Sequence, residues 1–171
     1  MGINLRALSV KDADLLLALY RAVAVGGTLG RDSDEYTQVD VVQTLEKALT
    51  TGVCLGAFNS NDLCGEIHGS RLMPRRFRHV FSGLTVAVHP NYQRLGIGRS
   101  LFEALLAHVD ALDPPIQRVE LILQAGNSSA LHLYTTLGFA EEGRLRQRVR
   151  CSDGSMVDDI YMARLRVTDL G

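Results

Sequence analysis

Between residues 79 and 109 the apolar pattern of this chain changes its period. In "HVFSGLTVAV", residues 79–88, Val80, Leu84, Val86 and Val88 share one side of a strand and Phe81, Thr85 and Ala87 share the other. Apolar groups on both sides predict a buried central strand. His89-Pro90 ends it. From Gly96 the spacing is helical: Ile97, Leu101 and Leu105 form one stripe, with Phe102, Leu106 and Val109 beside it. The joint reads "NYQRLGIGRS", with Gly96 and Gly98 one residue apart and flanked by Arg94 and Arg99. A helix start carries backbone N–H groups with no partner inside the helix, and the helix dipole adds partial positive charge there. Glycines let an anion come close to that backbone, so this unit suits a phosphate, with the arginines at its rim.

Two familiar phosphate loops do not fit the joint. No G-x-x-x-x-G-K-[ST] string occurs anywhere in the chain, as a P-loop requires. A dinucleotide fingerprint needs G-x-G-x-x-G, and Leu101 stands where the third glycine belongs.

The flanking sequence supplies the rest of the fold. Residues 3–8 alternate as an edge strand. Ser9, with Asp12 three residues on, caps a helix from about Val10, whose face is drawn by Leu15, Leu19 and Val23. Gly26-Gly27 stops it, and residues 26–36 read as a mobile loop. Thr37, with Asp40, caps a second helix striped by Val41, Leu45 and Leu49 and closed at Gly52. Strands are predicted at 53–58, 63–72, 79–88 and 117–123. A short helix capped by Asn127 follows at 128–136. A last hairpin, 139–150 and 156–166, turns around Ser152-Asp153-Gly154. The order β-α-α-β-β-β-α-β-α-β-β, without a repeat or linker, predicts one α/β domain over residues 1–171 with a mixed sheet.

Composition narrows the function. A net charge of −1 argues against a surface devoted to nucleic acid. No apolar run is long enough to span a bilayer, and no signal peptide is expected before Arg6. Cys54, Cys64 and Cys151 are odd in number and widely spaced, which predicts reduced thiols in a cytoplasmic protein.

The string Gln93-Arg94-Leu95-Gly96-Ile97-Gly98 resembles the Q/R-x-x-G-x-G/A motif of the GCN5-related N-acetyltransferases (GNAT). Val86-Ala87-Val88-His89-Pro90 before it is similar to that family too. So is the later segment "NSSALHLYTTLGFAEEGRLR", with Asn127, Ala130, Tyr134, Gly138 and Phe139 in the family's places. The tail "DGSMVDDIYMARL" resembles a subgroup that acetylates small amines, including amino acids. The resemblance covers about residues 3–166. It implies a mixed, mostly antiparallel sheet of about seven strands with four helices, splayed between strands four and five. It implies acetyl-CoA as co-substrate, with Val86 and Val88 as backbone partners of the pantetheine arm. The pyrophosphate cradle would be Arg94, Gly96, Ile97, Gly98, Arg99 and Ser100. Asn127 would shape the pantetheine slot, and Tyr134 would protonate the leaving thiolate. A phenol is a reasonable proton donor for that step. A homodimer is also implied, with the apolar face of the hairpin offered as interface.

Family members often carry a Glu on strand four that takes the proton from the attacking ammonium. Here Ser82-Gly83 occupies that region, without a carboxylate. Glu66 and His68 lie two residues apart, on one face of the preceding strand. Glu66 is the first candidate for proton acceptor, with His68 and His79 behind it. The implied reaction is acetyl transfer to the primary amine of a small molecule by direct attack in a ternary complex. Acetylation of a protein N-terminus, as in ribosomal-protein enzymes, and a non-catalytic acyl-CoA sensor are the alternatives. No nucleic acid, membrane or metal is expected.

Overall fold

A computed structural model describes residues 2–27 and 29–166. Its strands are β1 (Ile3–Ala7), β2 (Gly52–Asn59), β3 (Asp62–Arg71), β4 (Val80–Val88), β5 (Arg118–Gln124), β6 (Ala140–Arg150) and β7 (Met156–Leu165). Its α-helices are α1 (Ala13–Ala24), α2 (Gln38–Thr51), α3 (Ile97–Asp110) and α4 (Ser128–Thr136). Their succession is the one the sequence predicts. The strands form one sheet in the order β1-β2-β3-β4-β5-β7-β6, in which β4 and β5 pair in parallel. The chain divides into two compact units, residues 1–70 with 85–108 and residues 71–84 with 109–171.

In the first unit β1 pairs antiparallel with β2, and β2 with β3. Ser9 and Asp12 form the predicted capping box, but one 3-10 turn, Val10–Asp12, precedes the α-helix. Leu16, Leu19, Tyr20 and Val23 face the core, while Leu15 is 41% exposed. The Leu15–Leu17 run offers two phases of equal hydrophobicity, so spacing alone could not choose between them. On α2 the stripe holds for Val41 and Leu45 but ends before Leu49, which is 67% exposed in the last turn. Residues 29–36 are tied down more than their composition predicts. Leu29 and Tyr36 are buried, Arg21 donates to the Tyr36 carbonyl at 2.9 Å, and Arg31 pairs with Asp40 at 2.7 Å. The stripe of α3 is wholly as predicted: Ile97, Leu101, Phe102, Leu105, Leu106 and Val109 are all buried.

In the second unit β5 and β6 both pair antiparallel with β7. Arg118 joins Glu120 at 2.7 Å and Glu142 at 2.9 Å, linking β5 to β6. The apolar side of the hairpin is already used within the fold: Ile160, Met162 and Ala163 of β7 are buried. What β6 exposes is mainly charged, including Glu141, Glu142, Arg144, Arg146, Arg148 and Arg150. A broad apolar hairpin face for a second copy is therefore not what this strand presents.

Candidate active site

The turn between β4 and α3 is built by its own side chains. The His89 amide donates to the Cys64 carbonyl at 2.8 Å, anchoring the strand end to β3. His89 Nδ1 accepts from the Asn91 amide at 3.2 Å, and a 3-10 turn runs through Pro90–Tyr92. Gln93 Nε2 reaches back to the Val88 carbonyl at 3.2 Å. The chain then rises through Arg94 at φ 62° and Gly96 at φ 79° before entering α3. Only glycine takes that conformation without strain, so Gly96 is needed for its backbone angle. A β-carbon placed on it would meet nothing within 4 Å, so the space over this backbone is open. Residues 93–96 are all exposed.

α3 is held close to the sheet at one point. A β-carbon on Gly65 would lie 3.0 Å from Ile97 Cγ2 and 3.2 Å from the Ala87 carbonyl oxygen. The missing side chain at Gly65 lets the first turn of α3 settle on β3 and β4. The Ser100 amide bonds to the Gly96 carbonyl at 3.0 Å, and the helix dipole adds positive character at this end. Arg99 sits in the first turn, with Glu103 one turn on at 3.4 Å. A diphosphate fits such a place: open backbone, glycine at the bend, and cationic side chains around it.

In the second unit β4 and β5 pair at Val80↔Arg118 and Phe81↔Val119. Directly after, Gly83 takes φ 67° within β4. A cavity of about 160 Å³ lies there, lined by Ser82, Gly83 and Leu84 of β4, Glu120, Leu121 and Ile122 of β5, and Tyr161 of β7. Ser82-Gly83 carries no carboxylate, and its glycine supplies the left-handed backbone angle that β4 takes here. The signal was present, since an isolated glycine within a strand often marks a bend or a close approach.

Asn127 caps α4, its side-chain oxygen accepting from the Ala130 amide at 3.1 Å. Tyr134, one of the inner residues of α4, is buried, with its ring centroid 6.1 Å from that of Phe139. Burial pushes its phenol up to about 12, so it keeps its proton at neutral pH. Val86 and Val88 are half-buried on β4.

Glu66 is wholly buried in the first unit, where three polar side chains converge on it. Tyr20 of α1 gives a hydrogen bond at 3.0 Å, Cys54 of β2 one at 3.2 Å, and His68 Nδ1 lies at 2.9 Å. Burial, and next the nearby Glu66 charge, raise both the Tyr20 phenol and the Cys54 thiol well above their usual range. Both therefore remain protonated donors. The sequence placed Glu66 and His68 on one face, and they do meet. Tyr20 and Cys54 were missed as polar partners, because each fits an apolar stripe.

The model of the Acetyltransferase (GNAT) family matches residues 22–139. The chain belongs to this family. A GNAT-family acetyltransferase from Streptococcus pneumoniae has the same fold, with a TM-score of 0.87 and 25% identity over 96% of this chain and 100% of that one. A GNAT phosphinothricin acetyltransferase from Sinorhizobium meliloti, solved with acetyl-CoA, superposes with a TM-score of 0.85 at 17% identity, covering 99% of this chain and 95% of that one. In sequence, the chain is 37% identical over 78 residues to the [ribosomal protein bS18]-alanine N-acetyltransferase of Escherichia coli K12, which is 46% of this GNAT chain and 51% of that enzyme. The match thus spans about half the length of this curated relative.

Proposed function

We propose that this GNAT chain transfers the acetyl group of acetyl-CoA to the primary amine of a small molecule, an amino acid among the candidates, by direct attack in a ternary complex. The observation that carries the reading is the open backbone bend at Gly96, which leads into the first turn of α3 inside the family match. Amides of Ile97, Gly98 and Arg99 would hold the pyrophosphate, with Arg94 and the Ser100 side chain at the rim. Backbone groups of Val86 and Val88 would pair with the pantetheine arm, and Asn127 would border it. Acetyl-CoA brings an activated acyl carbon as a thioester. The amine nitrogen attacks that carbon, the C–S bond breaks, and Tyr134 gives its proton to the leaving sulfur. Burial fits Tyr134 for this, since a phenol pushed up to about 12 arrives at the step protonated.

Acetylation of a protein N-terminal amine is the second reading, favoured by the likeness to the bS18-alanine enzyme. One experiment separates the two. Release of free thiol from acetyl-CoA is followed with a panel of amino acids, polyamines, aminoglycosides and peptides with alanine at the N-terminus. Amine-dependent release with a small molecule supports the proposal, and release with peptides alone transfers it to the second reading. No release with any amine, despite tight acetyl-CoA binding, contradicts both.

A further inference from the structure

Glu66 has no surface for a substrate to touch, yet the residue bonded to it does: the His68 side chain is 20% exposed and that of Glu66 0%. We propose that His68 is the group that takes the proton from the acceptor ammonium, and that Glu66 is its positioning residue, fixing the ring and its tautomer. The proposal rests on the acetyltransferase reading and supplies the proton acceptor that β4 lacks.

The tautomer follows from the donors around the carboxylate. The groups that face His68 are Glu66 on its own strand, Tyr20 from α1 and Cys54, its register partner on β2. The ring of Tyr36 stands behind Tyr20, with centroids 5.2 Å apart. Tyr20 and Cys54 are protonated and spend their hydrogens on Glu66. His68 Nδ1 lies 2.9 Å from Glu66 Oε1 and 3.1 Å from the Tyr20 oxygen. A bare Nδ1 would set its lone pair against that of a carboxylate at hydrogen-bond distance, so Nδ1 carries the hydrogen. In the neutral ring Nε2 is then the bare, basic nitrogen. An acid that orients a histidine through one nitrogen and leaves the other as base is a recurrent catalytic arrangement. The proton ledger closes: the ammonium gives one proton to Nε2, nitrogen bonds the acyl carbon and sheds its second proton to solvent as the amide forms, the C–S bond breaks, and the thiolate receives one from the Tyr134 phenol. Solvent exchanges both groups back, and one proton is released per turnover.

Two measurements test this. Long-range nitrogen–proton spectra of the imidazoles in wild-type protein should show His68 protonated on Nδ1 and bare on Nε2, and Glu66→Gln should lose that signature. An Nε2–H tautomer in wild type overturns the dyad, whatever the acceptor. Kinetically, His68→Gln should lower kcat about 100-fold with an amine that is mostly protonated at the assay pH. With an amine already neutral the loss should fall below about 3-fold, and the KM for acetyl-CoA should not move in either case. Equal losses with both amines mark a merely structural role and also overturn it. Absence of thiol release by wild type with every amine instead overturns the acetyltransferase reading, while the tautomer still decides the dyad.

Discussion

The turn at residues 89–100 and the carboxylate at Glu66 are both polar centres of the first unit, and they are made in opposite ways. The turn is one continuous stretch whose backbone lies open at residues 93–96. The Glu66 centre is four side chains from α1, β2 and β3, packed until the carboxylate has no exposure. A site made of backbone depends on angle and openness, so its failures should appear in binding. A site made of buried side chains depends on mutual satisfaction, so its failures should appear in stability.

The largest expected effect belongs to the buried centre. Glu66→Leu leaves the Tyr20 hydroxyl, the Cys54 thiol and His68 Nδ1 without their acceptor, and should lower unfolding free energy by about 4 kcal/mol. Urea denaturation measures it, and calorimetry on the folded protein should find acetyl-CoA affinity little changed. A loss of affinity without a loss of stability would break the contrast. Gly96→Asp should do the reverse. A side chain and a negative charge over the bend should weaken acetyl-CoA at least about 100-fold, near 2.7 kcal/mol. The strained backbone should lower stability by only about 1 kcal/mol. An unchanged Kd in the folded variant would remove the bend from the site.

Tyr134→Phe comes next and tests the second unit. It should reduce kcat about 50-fold with acetyl-CoA affinity held within about 2-fold. Steady-state kinetics beside calorimetry reads both, and equal losses would deny Tyr134 the proton.

The smallest effect sits on a third kind of polar centre, a carboxylate held locally by Arg6 and Ser9. Asp12 is drawn down to about 2, first by its hydrogen bond with Arg6, with Ser9 adding and burial opposing. A carboxylate lowered on folding stabilises above its unfolded value of about 3.8 and loses that as pH falls toward 2. Because the Arg6 partner is 44% exposed, the loss should be about 1 kcal/mol. Urea midpoints between pH 5 and about 2 should fall less steeply in Asp12→Asn than in wild type.

The same contrast explains what could be read from the sequence. The caps at Ser9, Thr37 and Asn127, the stop at Gly27 and the change of period around Gly96 are local, and each lies where the sequence predicts. The turn proposed for the cofactor is local as well, so Arg94 to Ser100 could be named in advance from a resemblance. Where two local answers tie, tertiary packing decided: Leu16 rather than Leu15 on α1, and an exposed Leu49 at the end of α2. Loop composition hid the burial of Leu29 and Tyr36, which join the core formed with Leu16, Tyr20, Val41 and Leu45. The face shared by Glu66 and His68 followed from the two-residue period of β3. Tyr20 and Cys54 could not follow, because a tyrosine in a helical stripe looks the same whether or not its hydroxyl meets a carboxylate.

The central claim is that backbone amides at the start of α3 hold acetyl-CoA. Its most direct test is a titration of acetyl-CoA into nitrogen-15-labelled protein, read at each amide. The account predicts that Ile97, Gly98 and Arg99 show the largest shifts, and that they move far less with adenosine 3′-phosphate, which has no pyrophosphate. Acetyl-CoA binding that leaves those three amides still, or no binding at all, would contradict it.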